Sequence, residues 1–247
     1  MRADLIRPDG ETLAVERTDG AGPTVVWIGG FRSDMQGAKA LALETAARQR
    51  GWAYVRYDHF AHGESSGDWR RATIGRWRED AVALVDALEG PVIPVGSSMG
   101  GWVALLLAQA RPKRMAGLVL VNPAQDFTER LMWPGLADHE RQAILRDGET
   151  TIVEEGLGAY VLTRAMFEEA RAWLLLDGEV ALAAPTHILQ GRADAVVPWR
   201  HAMALVERMR DGDVLLDLVE GGDHRLSTPA DLARLVEAVE AMRRRAA

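Results

Sequence analysis

The sequence contains no cysteine among its 247 residues. This absence excludes disulfide bonds, cysteine nucleophiles and thiolate metal sites, and it fits a reducing compartment. No apolar run reaches membrane-spanning length, and residues 1–10 lack the apolar core of a signal peptide. We therefore expect a cytoplasmic protein without stable membrane insertion.

The chain also lacks an excess of positive charge, since 29 Lys and Arg stand against 36 Asp and Glu and the formal net charge is -7. The only basic cluster, Arg243-Arg244-Arg245, falls at the end of a predicted helix, where it complements the helix dipole. This balance argues against a nucleic-acid partner.

A serine lies in a strand–turn–helix pattern over residues 92–110. A short apolar run leads into Gly96-Ser97-Ser98-Met99-Gly100, and an Ala- and Leu-rich run follows. In this G-x-S-x-G spacing the turn is strained, and Gly96 and Gly100 allow backbone to approach without an intervening Cβ. Ser98 is therefore predicted above the sheet edge at a helix N-terminus, which favours developing negative charge. A Gly-rich turn with an incidental serine would give the same motif. Residues further along the chain must therefore show whether Ser98 is a nucleophile.

Strands and helices alternate along most of the chain. Apolar, β-branched runs at 24–28, 52–57, 92–95 and 118–121 are separated by helical patterns. This alternation predicts an α/β fold with a mostly parallel sheet and helices on both faces. A hairpin at 5–7 and 12–17 is predicted before these strands, and two more strands at 186–190 and 215–219 after them. The length fits a single domain over 1–247.

The alternation stops between Pro123 and Pro185, after the sixth predicted strand. This interval far exceeds the usual connection of ~4–6 residues. It leaves from the carboxyl edge of the sheet next to the serine, where α/β sites form. We therefore predict a helical lid at about 124–184, with helices at 138–146 and 164–176, in preference to an ordinary helical decoration. Bulky side chains predicted to form its apolar wall or to contact substrate are Met132, Trp133, Leu136, Tyr160, Phe167, Trp173 and, after the lid, Trp199.

An aspartate and a histidine each follow one of the two late strands. Asp194 comes just after the strand at 186–190, and His224 comes just after the strand at 215–219. The chain order Ser98, Asp194, His224 is typical of α/β-hydrolases and differs from that of other serine-protease scaffolds. Asp223 and Asp126 are alternative acids, but Asp223 adjoins His224 on a tight turn and Asp126 is a less usual position.

Two further features lie near the predicted site. The loop 29–32 can present the backbone N–H of Phe31 toward Ser98, and Met99 can present a second N–H for an oxyanion. His59 and His62, three residues apart, could suggest a metal site. No further ligand cluster accompanies them, so we predict a turn with solvated histidines.

At these residues the chain resembles the α/β-hydrolase superfamily over nearly its whole length. More closely, it resembles the family of the mitochondrial palmitoyl-protein thioesterase that also cleaves the acyl glucuronide of mycophenolic acid. The matching segments are 76–80, 96–102, 111–112, 197–199 and 223–225. The family's nucleophile, acid and base fall on Ser98, Asp194 and His224. Since no transit peptide is recognised, the mitochondrial location is not expected to carry over.

The resemblance implies hydrolysis of carboxylic esters or thioesters through an acyl-enzyme. His224 would take the Ser98 proton, and Asp194 would hold the imidazole tautomer. No metal or organic cofactor is required. The expected partner is a small-molecule or acyl-protein substrate.

Other functions remain open on the same fold. A serine at the turn excludes a dehalogenase, which needs aspartate there. An aminopeptidase would need an acidic anchor in the lid, for which Glu154 and Glu155 are the candidates. A short-chain esterase and a catalytically silent ligand-binding protein are the remaining alternatives, although the latter often lose one of the three residues that this chain retains.

Overall fold

A seven-stranded sheet occupies the centre of the protein. The structure is a computed structural model and describes residues 1–154 and 158–246. The strands in chain order are β1 (Leu5–Ile6), β2 (Thr12–Leu13), β3 (Val15–Thr18), β4 (Ala21–Ile28), β5 (Trp52–Tyr57), β6 (Val92–Ser97), β7 (Leu118–Val121), β8 (Glu149–Glu154), β9 (Gly158–Thr163), β10 (Val180–Ala181), β11 (Thr186–Gly191), β12 (Met209–Arg210) and β13 (Val214–Val219). In the main sheet the spatial order is β3-β5-β4-β6-β7-β11-β13, and the pair β3–β5 is antiparallel while the remaining pairs are parallel.

Helices cover both faces of this sheet. They are α1 (Ala38–Arg50), α2 (Ile74–Asp86), α3 (Met99–Ala110), α4 (Trp133–Gly135), α5 (Asp138–Asp147), α6 (Arg164–Ala170), α7 (Trp199–Arg208) and α8 (Pro229–Arg245). α1 and α8 pack on one face, and α2, α3 and α7 pack on the other. The predicted fold class, a mostly parallel sheet with helices on both faces, is confirmed. Within the described ranges, no helix has the length and apolar character needed to cross a bilayer.

The N-terminal hairpin differs from its prediction. The segment predicted as one strand at 12–17 divides into β2, which pairs with β1, and β3, which joins the edge of the main sheet. β7, counted as the sixth strand in the sequence, is therefore the seventh in the structure.

The segment between β7 and β11 contains strands as well as helices. α5 matches the helix predicted at 138–146, and β8 pairs with β9 as an antiparallel hairpin that was not predicted. The helix predicted at 164–176 ends at Ala170, and a 3-10 turn covers Arg171–Trp173. Beyond this turn the chain is held by Asp126, whose buried carboxylate accepts the N–H groups of Leu175 and Leu176 at 2.8 Å each. Asp126 thus fastens the start of the segment to its end.

Candidate active site

Ser98 lies at the sharp turn between β6 and α3. Its backbone has a φ of 55° and a ψ of -122°, which is strained for a residue with a side chain. This turn requires glycine at two positions. A Cβ on Gly96 would collide with the carbonyl oxygen of Gly100, and a Cβ on Gly100 would collide with the carbonyl oxygen of Ile28. The Ser98 N–H donates to the Val121 carbonyl at 2.9 Å, which ties the turn to β7. The hydroxyl is thereby held at the carboxyl edge of the sheet.

His224 contacts both Ser98 and Asp194. Its Nε2 lies 3.2 Å from Ser98 Oγ, and its Nδ1 lies 2.8 Å from Asp194 Oδ2. An ionised carboxylate can only accept, so Nδ1 carries the ring proton and Nε2 offers its lone pair to the Ser98 hydroxyl. The other oxygen of Asp194, Oδ1, accepts the N–H groups of Val196 and Val197 at 2.8 Å each. These bonds hold the buried carboxylate in one orientation toward the ring.

The two alternative acids occupy other positions. Asp223 Oδ1 accepts the backbone N–H groups of Arg225 and Leu226, so it shapes the turn that carries His224. Asp126 is engaged with Leu175 and Leu176, and burial raises the pKa of its carboxyl. Of the three acids weighed in the sequence, Asp194 is the one that the structure places against His224.

Asn122 supports this arrangement and was not singled out in the sequence. It is fully buried at the end of β7. Its Nδ2 donates to the carbonyls of Asp223 and His224, and its Oδ1 accepts the N–H of Gly191 at the end of β11. One side chain thus connects three loops at the carboxyl edge. Its position directly after a buried strand is the signal that could have identified it.

The backbone N–H groups of Phe31 and Met99 have the properties of oxyanion donors. Met99 is the first residue of α3, where N–H groups lack partners inside the helix. Phe31 lies in the loop between β4 and α1. Among residues 1–154 and 158–246, neither N–H donates to an acceptor. Both residues line one cavity together with Ser98 and His224.

That cavity, which we call the apolar cavity, has a volume of about 480 Å³. Besides Ser98 and His224 its lining consists mainly of apolar side chains: Phe31, Met99, Ala124, Phe127, Leu131, Met132, Val196 and Val197. Tyr160, predicted from the sequence to contact substrate, also lines it. Phe127 and Leu131, which were not predicted, stand four residues apart on one face of the turn that opens the inserted segment.

The other predicted substrate residues lie elsewhere. Trp133 packs against Phe167 with ring centroids 5.0 Å apart, and Phe167 is buried in the core. Trp199 lies under the guanidinium of Arg200, 4.5 Å from the ring centroid. None of these three side chains lines the apolar cavity. The structure thus places Trp133, Phe167 and Trp199 outside the cavity next to Ser98, which differs from the prediction that they contact substrate.

A second cavity, which we call the polar cavity, meets the apolar one at Phe31, Ser98 and His224. It has a volume of about 510 Å³, and its other lining residues include Ser33, Asp34, Lys39, Asp223, Arg225, Ser227 and Thr228. The Lys39 ammonium donates to the Arg225 carbonyl, and burial lowers the pKa of Lys39 to about 8. Ser98 therefore lies between a cavity lined mainly by apolar side chains and one whose lining also carries charged and hydroxyl side chains.

The histidines predicted to be solvated are buried. His59 and His62 are 1% and 4% exposed. The indole rings of Trp69 and Trp77 pack on His62 at centroid distances of 5.2 and 5.3 Å, which explains the burial. In the described part of the chain, no group of three or more His, Asp or Glu side chains is placed to hold a metal ion. Of the peptidase anchors weighed above, Glu155 and the Glu154 side chain lie outside the described residues.

Comparisons with known proteins agree on one family. A family model described as serine aminopeptidase S33, Hydrolase_4, matches residues 22–150. The mitochondrial palmitoyl-protein thioesterase ABHD10 of Bos taurus is 34% identical over 241 residues, covering 96% of this chain and 78% of that protein. The crystal structure of a putative hydrolase from Agrobacterium vitis S4 superposes with a TM-score of 0.92 at 40% identity, covering 98% of both chains. The mouse α/β hydrolase domain-containing protein 10 gives 0.89 at 31% identity, again covering 98% of both.

One prediction is corrected by these comparisons. The cytoplasmic location expected from the sequence is wrong on this evidence, because the curated relatives, including those of Bos taurus and Homo sapiens, are named as mitochondrial proteins. Composition cannot reveal location here, since absence of cysteine and of a long apolar run fits several compartments.

Proposed function

This chain belongs to the α/β-hydrolase family and is an ester or thioester hydrolase, and on that premise we propose that it releases fatty acids from acyl thioesters or esters through an acyl-serine intermediate. The observation that carries the proposal is the continuous contact from Ser98 through His224 to Asp194, located where an apolar and a polar cavity meet. The names of the relatives support a palmitoyl-type thioester as the substrate class.

In the first half of the reaction Ser98 Oγ attacks the acyl carbonyl carbon while His224 Nε2 takes the hydroxyl proton. Asp194 keeps the other ring nitrogen protonated and stabilises the imidazolium. The carbonyl oxygen becomes an oxyanion that accepts hydrogen bonds from the Phe31 and Met99 N–H groups. Such a donor typically contributes about 3–4 kcal/mol to the transition state. The carbon–sulfur or carbon–oxygen bond then breaks, and His224 returns the proton to the leaving group.

In the second half water attacks the acyl-serine. His224 Nε2 removes a proton from the water, and the oxyanion uses the same two N–H groups. Collapse of this intermediate releases the fatty acid, and the proton on His224 returns to Ser98 Oγ. The cycle needs these side chains and water alone.

The two cavities divide the substrate between them in this proposal. The acyl chain occupies the apolar cavity, where burial of each methylene is worth ~0.8 kcal/mol. The leaving group lies in the polar cavity, near Lys39 and Arg225, where hydrogen-bonding groups of a peptide or small molecule find partners. We further propose that the whole chain forms a single domain and that residues 124–184 act as a lid, since Phe127, Leu131 and Met132 at its start form one wall of the apolar cavity.

A serine-directed fluorophosphonate probe, combined with hydrolysis assays, tests this function. The wild-type protein and Ser97→Ala should be labelled, whereas Ser98→Ala should not. Turnover of octanoyl and palmitoyl thioesters and p-nitrophenyl esters should fall by ~10⁴-fold or more in Ser98→Ala with the fold intact, because Ser98 carries the covalent step. Ser97→Ala should keep most of its activity.

The same experiment separates the alternatives. Labelling of Ser98 with turnover only of aminoacyl or acetyl substrates would favour a peptidase or short-chain esterase. Absence of labelling in the wild-type protein would indicate a ligand-binding protein and refute the proposal. Loss of activity in Ser97→Ala with retention in Ser98→Ala would show that the nucleophile was wrongly assigned.

A further inference from the structure

His62 contacts the loop that carries the Phe31 N–H. The His62 ring is buried in the turn after β5, and its Nε2 accepts the backbone N–H of Arg32 at 3.1 Å. Its Nδ1 lies 3.0 Å from the carbonyl oxygen of Phe60. A carbonyl only accepts, so Nδ1 carries the proton and Nε2 is free to accept. Both ring nitrogens are therefore used, in one tautomer.

The residue held by this bond has an unusual backbone conformation. Arg32 has a φ of 57°, in the left-handed region that side chains disfavour. The preceding peptide group ends in the Arg32 N–H, and the peptide before that carries the Phe31 N–H. The two N–H groups belong to adjacent peptide units that meet at the Phe31 Cα, so the bond to the Arg32 N–H anchors one end of the peptide pair and restricts rotation of the Phe31 N–H. Ser33 closes the turn from the other side, since its N–H and Oγ both donate to the Gly30 carbonyl.

His62 is itself held by a buried network. The Phe60 carbonyl that receives the His62 proton also accepts the indole N–H of Trp77 at 3.1 Å. The Phe60 N–H donates to Asp80 Oδ2 at 2.8 Å, and Asp80 is fully buried on α2. The position of the His62 ring is thus fixed by side chains of α2, on the face of the sheet opposite α1 and α8.

The charge state of His62 is compatible with its role as an acceptor. Burial lowers the pKa of His62 to about 4, so the ring is neutral near pH 7. A neutral ring in the Nδ1–H tautomer can accept the Arg32 N–H, whereas a protonated ring could not.

We infer that His62 is a positioning residue for the reaction, which aims the Phe31 N–H at the oxyanion through its hydrogen bond to the Arg32 N–H. This inference rests on the proposed function of Phe31 as an oxyanion donor. In the part of the chain that the structure describes, His62 hydrogen-bonds to neither Ser98 nor His224. Its ring also packs on Trp69 and Trp77, which contact the Phe31 ring.

Three substitutions at His62 test the inference. A glutamine amide reaches the position of Nε2, so His62→Gln can still accept the Arg32 N–H. An asparagine amide ends near the position of Nδ1, so His62→Asn cannot, and His62→Ala removes the group. His201→Asn is the control, because His201 is a half-buried histidine whose Nε2 contacts the backbone carbonyl of Gln125, away from the loop.

The readouts are kcat and KM for p-nitrophenyl octanoate, and inhibition constants for an alkyl trifluoromethyl ketone and for octanoic acid. For His62→Ala and His62→Asn, kcat should fall roughly 10- to 100-fold with KM within about threefold, because an oxyanion donor misdirected by a fraction of an ångström acts mainly on the transition state. Ketone affinity should fall by the same factor as kcat/KM, since its adduct carries the oxyanion. Octanoic acid affinity should hardly change. His62→Gln should recover most of kcat, and His201→Asn should match the wild type.

Four results would overturn the inference while leaving the proposed function intact, provided that the wild-type protein is labelled at Ser98 and active. The first is a wild-type kcat in both His62→Ala and His62→Asn. The second is an unchanged ketone affinity alongside a reduced kcat. The third is an equal loss of ketone and octanoic acid affinity, which would indicate a distorted cavity. The fourth is an equal loss of kcat in His62→Gln and His62→Asn. Melting temperatures accompany each variant, and if His62→Ala does not fold, the comparison of His62→Gln with His62→Asn decides.

Discussion

The length of the acyl chain should control catalytic efficiency through the apolar cavity, and Met132 is the residue at which to test this. A methylene moved fully from water into an apolar site gains ~0.8 kcal/mol, or close to fourfold in affinity. Going from butanoyl to octanoyl adds four methylenes, which gives about 3.2 kcal/mol or roughly 200-fold as an upper limit. The lining residues Leu131 and Met132 are partly exposed, so the cavity is open to solvent. If about half of the added methylene surface is buried, kcat/KM should rise roughly 15-fold from butanoyl to octanoyl.

The assay is a series of kcat/KM values for p-nitrophenyl esters and acyl thioesters from acetyl to palmitoyl. The wild-type values should rise with chain length and then level off when the cavity is filled. The gain should appear in kcat/KM, because the wall contacts ground state and transition state alike. Met132→Trp should make the rise level off at a shorter chain, and Met132→Ala should flatten it.

Trp133→Ala is the matched control, because Trp133 adjoins Met132 in the chain but packs against Phe167 outside the cavity. Its chain-length profile should follow that of the wild type. Efficiency that falls as the chain lengthens would refute the assignment of the apolar cavity to the acyl group. A profile that changes in Trp133→Ala but not in either Met132 variant would refute the assignment of the wall.

Two other properties can be checked. Asp194→Asn should lower kcat by ~10⁴-fold with a modest change in KM, because the amide spoils the imidazole tautomer, and Asp223→Asn should be far milder; the reverse order in steady-state kinetics would move the acid to Asp223. The pKa of His62 in the folded protein, about 4, lies below the unfolded value of 6.5, so stability is present above pH 6.5 and is lost as pH falls. Between pH 7.5 and 5.5 protonation of His62 in the unfolded chain should lower the free energy of unfolding by about 1.3 kcal/mol. Measured by urea unfolding, the free energy of unfolding of His62→Gln should decrease less over this pH range than that of the wild type. An equal decrease in the two proteins would contradict a buried, neutral His62.

The main sheet and the meeting of Ser98, Asp194 and His224 could be predicted because they follow from local signals and one topological rule. Apolar, β-branched runs mark buried strands, and parallel strands bring their carboxyl ends to one edge. Residues that follow β6, β11 and β13 within a few positions therefore lie at the same edge of the sheet, where the loops after β11 and β13 bring Asp194 and His224 to Ser98. The close approach of Gly96 to the Gly100 carbonyl is likewise local, whereas Gly100 is crowded by the Ile28 carbonyl at the end of β4.

The inserted segment and the buried histidines could not be predicted in the same way. Periodicity identifies the apolar face of a helix, but it does not show which neighbour covers that face. Trp133 and Phe167 cover each other, whereas Phe127 and Leu131, less conspicuous in the sequence, line the cavity. His62 is buried by Trp69 and Trp77, which follow it in other elements, so its environment depends on the packing of α2 against the sheet.

The fastening of residues 175 and 176 to the Asp126 carboxylate has a consequence for how this protein can diversify. The segment that begins near Asp126 returns to the same carboxylate before the chain enters β11, so its two attachment points coincide in space. Replacements, insertions or deletions between them can reshape the wall around the acyl group without shifting β7 or β11 in register. The contacts among Ser98, Asp194 and His224 lie outside this segment, so we expect such changes to alter the cavity wall more than these contacts. Exchange of residues 127–174 between homologues should transfer the part of the chain-length preference that depends on Phe127, Leu131 and Met132.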